Sequence, residues 1–443
     1  MSKKEIDISV ASGFRDYLPA DMIPRQWMLD TIRGVFEKFG FQPLDTSGIE
    51  REEVLTGGDP DSKKQIFRSY TKDRPYGLAL RFDLTVPLAR VVSLYPGDIQ
   101  KPFKRYQMGK VWRGEKAQAG RFCEFMQFDA DIVGSSRLTS DAEIVSVIYE
   151  TMKALGVGRF LIRVNNRKIL NGLSSFAGYD PLKSENVMRS LDKLDKLDWA
   201  GVRKELVDTV GLTEDQIGRL KTFIDSQTDN QLNTLTQIEE LMVDSPEAFE
   251  GIQELKQLVS LVDALGVPRD FWSIDLSVAR GLGYYTGIVF ETVLPDLLSI
   301  GSVFSGGRYD NLVENLGGDR IPATGASVGV DRLFVALSQL KLLPERKTQT
   351  EVIVLNFDPD AEIYNSQVAN ALRQSGFNTE LYLGREQAIK GQLTYALKQG
   401  IPVVVISGGN EKVKNTVQVK DLKSRTQIEV PVSKVVETVR GFL

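Results

Sequence analysis

Histidine is missing from this chain: none of its 443 residues is one. That absence removes Ser-His-Asp and Cys-His triads, imidazole general bases and His-ligated zinc. Cysteine is nearly missing too. Cys123 is the single thiol, which excludes an intramolecular disulfide and any cysteine-cluster metal site. No apolar run approaches the ~18 residues of a membrane-spanning helix, and the longest candidate, Ile401 to Ile406, reads as a buried strand. The opening residues, MSKKEIDISV, lack the apolar stretch of a secretory leader, so a cytoplasmic protein without membrane attachment is expected. Charge of one sign is lacking as well. With 55 basic and 59 acidic residues, net −4, there is no general attraction for nucleic acid, and any RNA contact needs local basic patches. Chemistry is left to carboxylates, arginine, lysine, tyrosine, backbone and any bound metal.

What is present is a globular composition, 42% hydrophobic and 26% charged, in a length that suggests two or three domains. Pro24 to Phe41 reads as an amphipathic helix ending at Gly40. Strand signals recur at Gly77 to Thr85, Lys104 to Arg113, Phe122 to Val133 and Arg159 to Asn165. Strands joined by short loops predict an antiparallel sheet. From about Asn171 to Val262 leucines and isoleucines recur at helical spacing, and Thr213 three residues before Gln216 resembles a capping box. Strand-like sequence resumes at Tyr284 to Val293 and Ser302 to Phe304, so the helical block reads as an insertion. Pro344 to Thr350 reads as a linker. Beyond it strands at Val352 to Phe357, Thr379 to Tyr382 and Pro402 to Ile406 alternate with helices at Glu362 to Gln374 and Glu386 to Lys398. That order predicts an α/β unit with a largely parallel sheet. Its basic group Lys412, Lys414, Lys420, Lys423 and Arg425 reads by itself as a solvated face.

Four segments carry the polar groups of interest. In LRFDLTV, strand alternation sets Arg81, Asp83 and Thr85 on one face, which alone reads as a solvated strand face. In CEFMQFDADIV, Phe125, Gln127, Asp129 and Asp131 share a face opposite Met126, Phe128, Ala130 and Ile132. A ring, an amide and two carboxylates in register suit the floor of a small-molecule site. The loop Gly114 to Gly120 makes a hairpin of this strand and GKVWR, with Arg113, Glu115 and Arg121 near its tip. Two arginines beside a phenylalanine suit a nucleotide, through phosphate pairing and base stacking. ARGLGYYTGIVFE joins Arg280 and a glycine-rich run to Tyr284 and Tyr285, and FSGGRYDNL sets Arg308 and Tyr309 after a glycine pair. Arg332, early in a helix, reads alone as a surface residue. No phosphate-loop or dinucleotide fingerprint appears.

Taken together and in this order, the segments resemble the histidyl-tRNA synthetases, a family of class II aminoacyl-tRNA synthetases, over nearly the full length. SGFRDYLPADM resembles the family's N-terminal signature, and KVWRGEKAQAGRFCEFMQFDADIVG its hairpin motif for ATP and the acceptor end. ARGLGYYTGIVFE and SGGRYDNL resemble its two histidine-specific segments, and GASVGVDRLF its final arginine motif. The resemblance implies an α+β catalytic domain on an antiparallel sheet (1–170 and 263–343), a helical insertion (171–262), a linker (344–350) and a C-terminal α/β anticodon-binding domain (351–443). It implies tRNA(His), free histidine and ATP with Mg²⁺ as partners, and a homodimer whose interface involves Gly40 to Glu50.

Residue roles follow from the same resemblance. Arg113 and Arg280 would hold the α-phosphate and the histidine carboxylate. Arg121 and Arg332 would bind the outer phosphates, Phe125 would stack on adenine and Glu115 would contact its amino group. Asp83, Thr85 and Gln127 match positions that bind the α-amino group. Asp131, Tyr284, Tyr285 and Tyr309 would form the imidazole pocket. Three positions depart from the family pattern: Gly283 stands where Asp is common, Cys123 where a basic residue is usual, and Ser47 where proline is expected. The alternative is a non-catalytic paralogue, such as a regulatory subunit of ATP phosphoribosyltransferase or a sensor of uncharged tRNA.

Overall fold

The computed structural model describes residues 6–58, 66–70, 77–114, 122–194, 197–279 and 284–443. The chain divides into two compact units, one of residues 1–16 and 28–342, the other of residues 17–27 and 343–443.

The larger unit is organised by an eight-stranded sheet. Its central hairpin pairs Phe103–Trp112 with Glu124–Val133 over their full lengths, in antiparallel register from Phe103 opposite Val133 to Trp112 opposite Glu124. Ala323–Gly329 closes on the other side of Glu124–Val133, followed by Phe304–Arg308, Ile288–Val293 and Leu161–Asn166, all antiparallel. Only the outermost strands, Gln42–Pro43 and Trp272–Ile274, run parallel to their neighbours. The predicted antiparallel sheet is therefore correct, and its order is set by strands nearly two hundred residues apart.

Strand alternation sorts the two faces of Glu124–Val133. Phe128, Ala130 and Ile132 are buried on the side packed by helices, where Phe128 meets Phe36 at 5.0 Å and Tyr106 at 5.9 Å between ring centroids. The helix Pro19–Lys38 contributes Met28, Leu29, Ile32, Val35 and Phe36 to that layer. It begins five residues before the predicted start, carries Pro24 inside it, and is followed by Gly40 at φ +80°.

Two predicted strands are corrected. The expected strand Gly77 to Thr85 ends at Leu80, and helix Thr85–Leu94 begins where the alternation continued. The Asp83 carboxylate accepts the Val86 amide at 3.0 Å, and Pro87 lies in the first helical turn, where a missing N–H costs nothing. Arg81, Asp83 and Thr85 are buried rather than solvated, as are Phe82 and Leu84, so alternation there did not separate inside from outside. The strand expected at Ser302 to Phe304 instead runs Phe304–Arg308 and takes in the Gly306–Gly307 pair. A Cβ on Gly306 would lie 2.0 Å from the Gly325 carbonyl oxygen, and one on Gly307 would lie 2.6 Å from that of Ile288. The pair marks close backbone approach inside a sheet, not a turn.

Helices Arg167–Ala177, Ser184–Leu191, Trp199–Glu205, Glu214–Asp225, Gln231–Leu241 and Pro246–Ala264 account for the helical block. Thr213 and Gln216 form the expected capping box, each side chain bonding the other's backbone amide. Among the described residues no helix is long and apolar enough to cross a membrane.

In the smaller unit Val352–Val354 lies parallel to Thr379–Leu381 on one side and Val403–Ile406 on the other. Thr416–Asp421 and Gln427–Pro431 extend the sheet antiparallel, so it is mixed. Helices Glu362–Gln374 and Ile389–Gln399 supply the crossovers, with Gly376 and Gly400 at positive φ after them.

Candidate active site

Two adjoining cavities of about 300 and 250 Å³ open on the polar face of the larger sheet. Gln127, Asp129 and Asp131 from Glu124–Val133 form the floor of the first, beside Ser327, Ala326 and Gly325 of the neighbouring strand. Gly325 stands directly opposite Asp131, and a Cβ there would overlap the Asp131 carboxylate, so the space exists because that side chain is absent. Asp83 and Thr85 reach the cavity from the loop and first turn of Thr85–Leu94, and Tyr284, Tyr285 and Tyr309 wall it. The tyrosine rings pack edge to face, with centroids 5.0 Å (Tyr284–Tyr285) and 5.8 Å (Tyr284–Tyr309) apart.

Every predicted histidine-site residue within the described regions thus lines one cavity. Phe125 and Arg332 line the second, and Arg113, Gln127, Ser305 and Ser327 border both. Arg332 lies near the start of helix Val330–Gln339 and donates to the Ser302 carbonyl at 3.3 Å. Its neighbour Asp331 accepts the Met126 amide at 2.9 Å, tying the helix start to the floor strand. The Arg113 guanidinium donates through Nε to the Phe82 carbonyl at 3.1 Å and stands 5.1 Å from the Phe125 ring centroid. Glu115, Arg121, Arg280 and Gly283 lie outside the described residues.

The electrostatics are those of a desolvated acidic pocket with a buried counter-cation. Arg105, 0% exposed, lies across the hairpin from Asp131; its Nη2 stands 2.9 Å from Asp131 Oδ2 and donates to the Leu84 carbonyl at 3.0 Å. The Tyr309 hydroxyl donates to Asp131 Oδ1 at 2.5 Å. Burial raises Asp131 above the usual carboxylate range, against the opposing pull of Arg105 and the Tyr309 hydrogen bond. Burial likewise pushes Asp129 up to about 7, moderated by Arg105 and reinforced by the Asp131 charge. The Tyr284, Tyr285 and Tyr309 hydroxyls are all raised by burial first and by nearby negative charge second, so they stay protonated as donors.

Sequence reasoning passed over Arg105 and Ser327 and gave Asp129 no role. The alternation that aligned Gln127 with Asp131 extends across the hairpin, where Gln107 faces Asp129 and Arg105 faces Asp131. Registering the two strands about their loop would have found Arg105. Ser327 carried no local signal, because its strand meets the floor only through the tertiary fold.

Comparison with known proteins agrees with this arrangement. A family model described as Histidyl-tRNA synthetase matches residues 13–333, and one described as Anticodon binding domain matches residues 350–441. The chain is 41% identical over 446 residues to the histidine–tRNA ligase of Clostridium tetani, covering 100% of both chains. It is 42% identical to that of Wolinella succinogenes, covering 93% of each. The crystal structure of histidyl-tRNA synthetase from Nostoc superposes with a TM-score of 0.87 at 34% identity, covering 99% of this chain and 100% of that one. With the polar floor, the tyrosine wall and the shared Arg113 all falling inside the matched region, the chain belongs to the histidyl-tRNA synthetase family.

Proposed function

We propose that this histidine–tRNA ligase binds histidine in the first cavity and ATP in the second, and joins them at Arg113. The observation that carries the reading is that Arg113 borders both cavities. A carboxylate in one and an α-phosphate in the other meet at a single guanidinium, which Phe82 holds through Nε. A histidine carboxylate oxygen attacks the α-phosphorus, the bond to pyrophosphate breaks, and histidyl-adenylate forms. Negative charge builds on phosphorus as it becomes pentacoordinate, so a fixed guanidinium stabilises that state more than the ground state. Arg280 is the proposed second guanidinium. Phe125 offers a stacking face for adenine, with Glu115 at its amino group and Arg121 and Arg332 at the outer phosphates.

The α-ammonium needs acceptors, and Asp83, Thr85 and Gln127 supply them. The imidazole needs acceptors for its N–H groups. Asp131 accepts the Tyr309 hydroxyl on Oδ1 and pairs by charge with Arg105 at Oδ2, which has no hydrogen-bond partner among the described residues, so both oxygens retain acceptor capacity. Tyr285 completes the recognition and Tyr284 backs it. In the second step the terminal hydroxyl of tRNA(His) attacks the adenylate carbonyl and AMP leaves. With no histidine in the chain, a phosphate oxygen of the adenylate takes the hydroxyl proton. Mg²⁺ would accompany ATP and neutralise charge on its phosphates. The C-terminal unit, matched by an anticodon-binding family model, is the proposed reader of the anticodon, and the proposed site of action is the cytoplasm.

Histidine-dependent ATP–pyrophosphate exchange tests the assignment. Exchange is expected with histidine and absent without it. A chain that never exchanges pyrophosphate would be the non-catalytic paralogue. Asp131→Asn should lower kcat/KM for histidine by about 10- to 100-fold, the cost of weakening a hydrogen bond to a charged acceptor. Equal loss of ATP affinity would contradict the imidazole role.

We further propose a homodimer through residues 40–50. Gln42, Pro43 and Ile49 are exposed there, and Gln42–Pro43 is an open sheet edge. Light scattering should give the mass of two chains, and a one-chain mass at micromolar concentration would reject the interface.

A further inference from the structure

Gln127 is useful to an ammonium only if its carbonyl oxygen, and not its NH₂ group, faces the cavity. Nothing in the amide itself decides this, because a half-turn about its last bond exchanges the two. Its surroundings do decide it. Gln127, which lines the cavity, donates through Nε2 to the Ser327 hydroxyl oxygen at 2.7 Å, while its Oε1 is buried without a hydrogen-bond partner among the described residues. Ser327 stands directly across the ladder from Asp129, and its hydroxyl, the donor nearest in register, pulls the Asp129 carboxyl down against the burial that raises it. Asp129 is 2% exposed and its Oδ1 has no hydrogen-bond partner among the described residues.

The donor count then allows one arrangement. An ionised carboxylate only accepts, so Ser327 must give its single proton to Asp129. The Ser327 oxygen is left as an acceptor, so Gln127 must turn its NH₂ towards it. The Gln127 carbonyl oxygen therefore points at the substrate. From this geometry we infer that Asp129 and Ser327 are positioning residues for the histidine α-amino group, acting through Gln127 by fixing its amide orientation. The inference rests on the proposed placement of the α-ammonium at Gln127. It explains why a second carboxylate lies on the pocket floor beside Asp131, although the imidazole needs only one.

The test compares two ligands that differ only in the α-amino group, histidine and 3-(imidazol-4-yl)propanoate, by calorimetry on the full chain at about pH 8, where Asp129 is ionised. Asp129→Asn should invert the chain: the new amide donates to Ser327, Ser327 donates to the Gln127 carbonyl, and the Gln127 NH₂ meets the ammonium. Histidine affinity should fall about 10-fold or more, while the des-amino ligand changes by less than about 2-fold. Ser327→Ala should act in the same direction and more weakly, since it frees the amide without reversing it. A purely electrostatic effect of Asp129 would leave Ser327→Ala at the parent affinity, and that result would overturn the inference. So would equal loss for both ligands, which marks a structural role. Gln127→Ala separates the two levels of the argument. If it fails to reduce the preference for histidine, the placement of the ammonium is wrong. If it does reduce it while Asp129→Asn and Ser327→Ala do not, only the orienting chain is wrong.

Discussion

Replacing Arg113 by alanine is expected to lower histidine-dependent pyrophosphate exchange by about 10²–10³-fold, a barrier increase of about 3 kcal/mol. The size follows from where the charge develops. Arg113 borders both cavities, and its Nε is tied to the Phe82 carbonyl, so the guanidinium is aimed before substrate arrives. A preorganised cation loses nothing to reorientation during the reaction, which is why its removal costs more than a surface charge would. Arg113→Lys should recover little, because an ammonium cannot present a planar fork to a carboxylate and a phosphate together. Binding of tRNA should stay within about 2-fold of the parent, since the residues matched by the anticodon-binding family model belong to the other unit. Exchange at the parent rate in Arg113→Ala would remove the central claim about the site.

Asp141→Ala is expected to destabilise the larger unit by about 3–5 kcal/mol, lowering its thermal midpoint by on the order of 10 °C. Asp141 is 0% exposed in helix Leu138–Ala154, and Arg308 ends the strand that delivers Tyr309. The Arg308 Nε lies 3.2 Å from both Asp141 carboxylate oxygens, and Nη1 donates to the Ser135 carbonyl at 3.0 Å. Removing the aspartate leaves the buried guanidinium with Asp310 as its remaining carboxylate, 3.4 Å from Nη1. Replacing both partners, as in Asp141→Leu with Arg308→Met, should restore part of the lost stability, because an apolar pair removes the two most buried charges and leaves only the less buried Asp310, 3.4 Å from Arg308 Nη1 in the parent. A single variant that melts with the parent would show that the pair is solvated in solution. Because Tyr309 follows Arg308 directly, the single variant should also weaken histidine binding, and the double variant should regain part of it.

How far the chain could be read without its structure differs from segment to segment. Gln127 and Asp131 were legible because a β-strand alternates with period two, and Phe128, Ala130 and Ile132 fix which side is dry. The same rule misled at LRFDLTV, where both sides are covered and a helix starts at Thr85. The cue overlooked there was Pro87, which marks a first helical turn better than three alternating polar residues mark a strand. At FSGGR the expected strand stopped at Phe304, short of the glycine pair that the strand Phe304–Arg308 includes. Glycine signals close approach or a bend, and only the neighbouring backbones at Gly325 and Ile288 tell which.

Composition and pattern alone determined the absence of imidazole chemistry, the antiparallel type of the larger sheet, the helical block and the faces of individual strands, whereas the smaller sheet, expected to be largely parallel, is mixed. All of these depend on residues close together in sequence. The tertiary structure alone decided that Ser327 would meet Asp129, that Arg105 would be the buried counter-charge to Asp131, and that Arg113 would stand where two cavities join. Those contacts arise from strand order in the sheet, and strand order is settled by how whole faces pack, which no local pattern of side chains encodes.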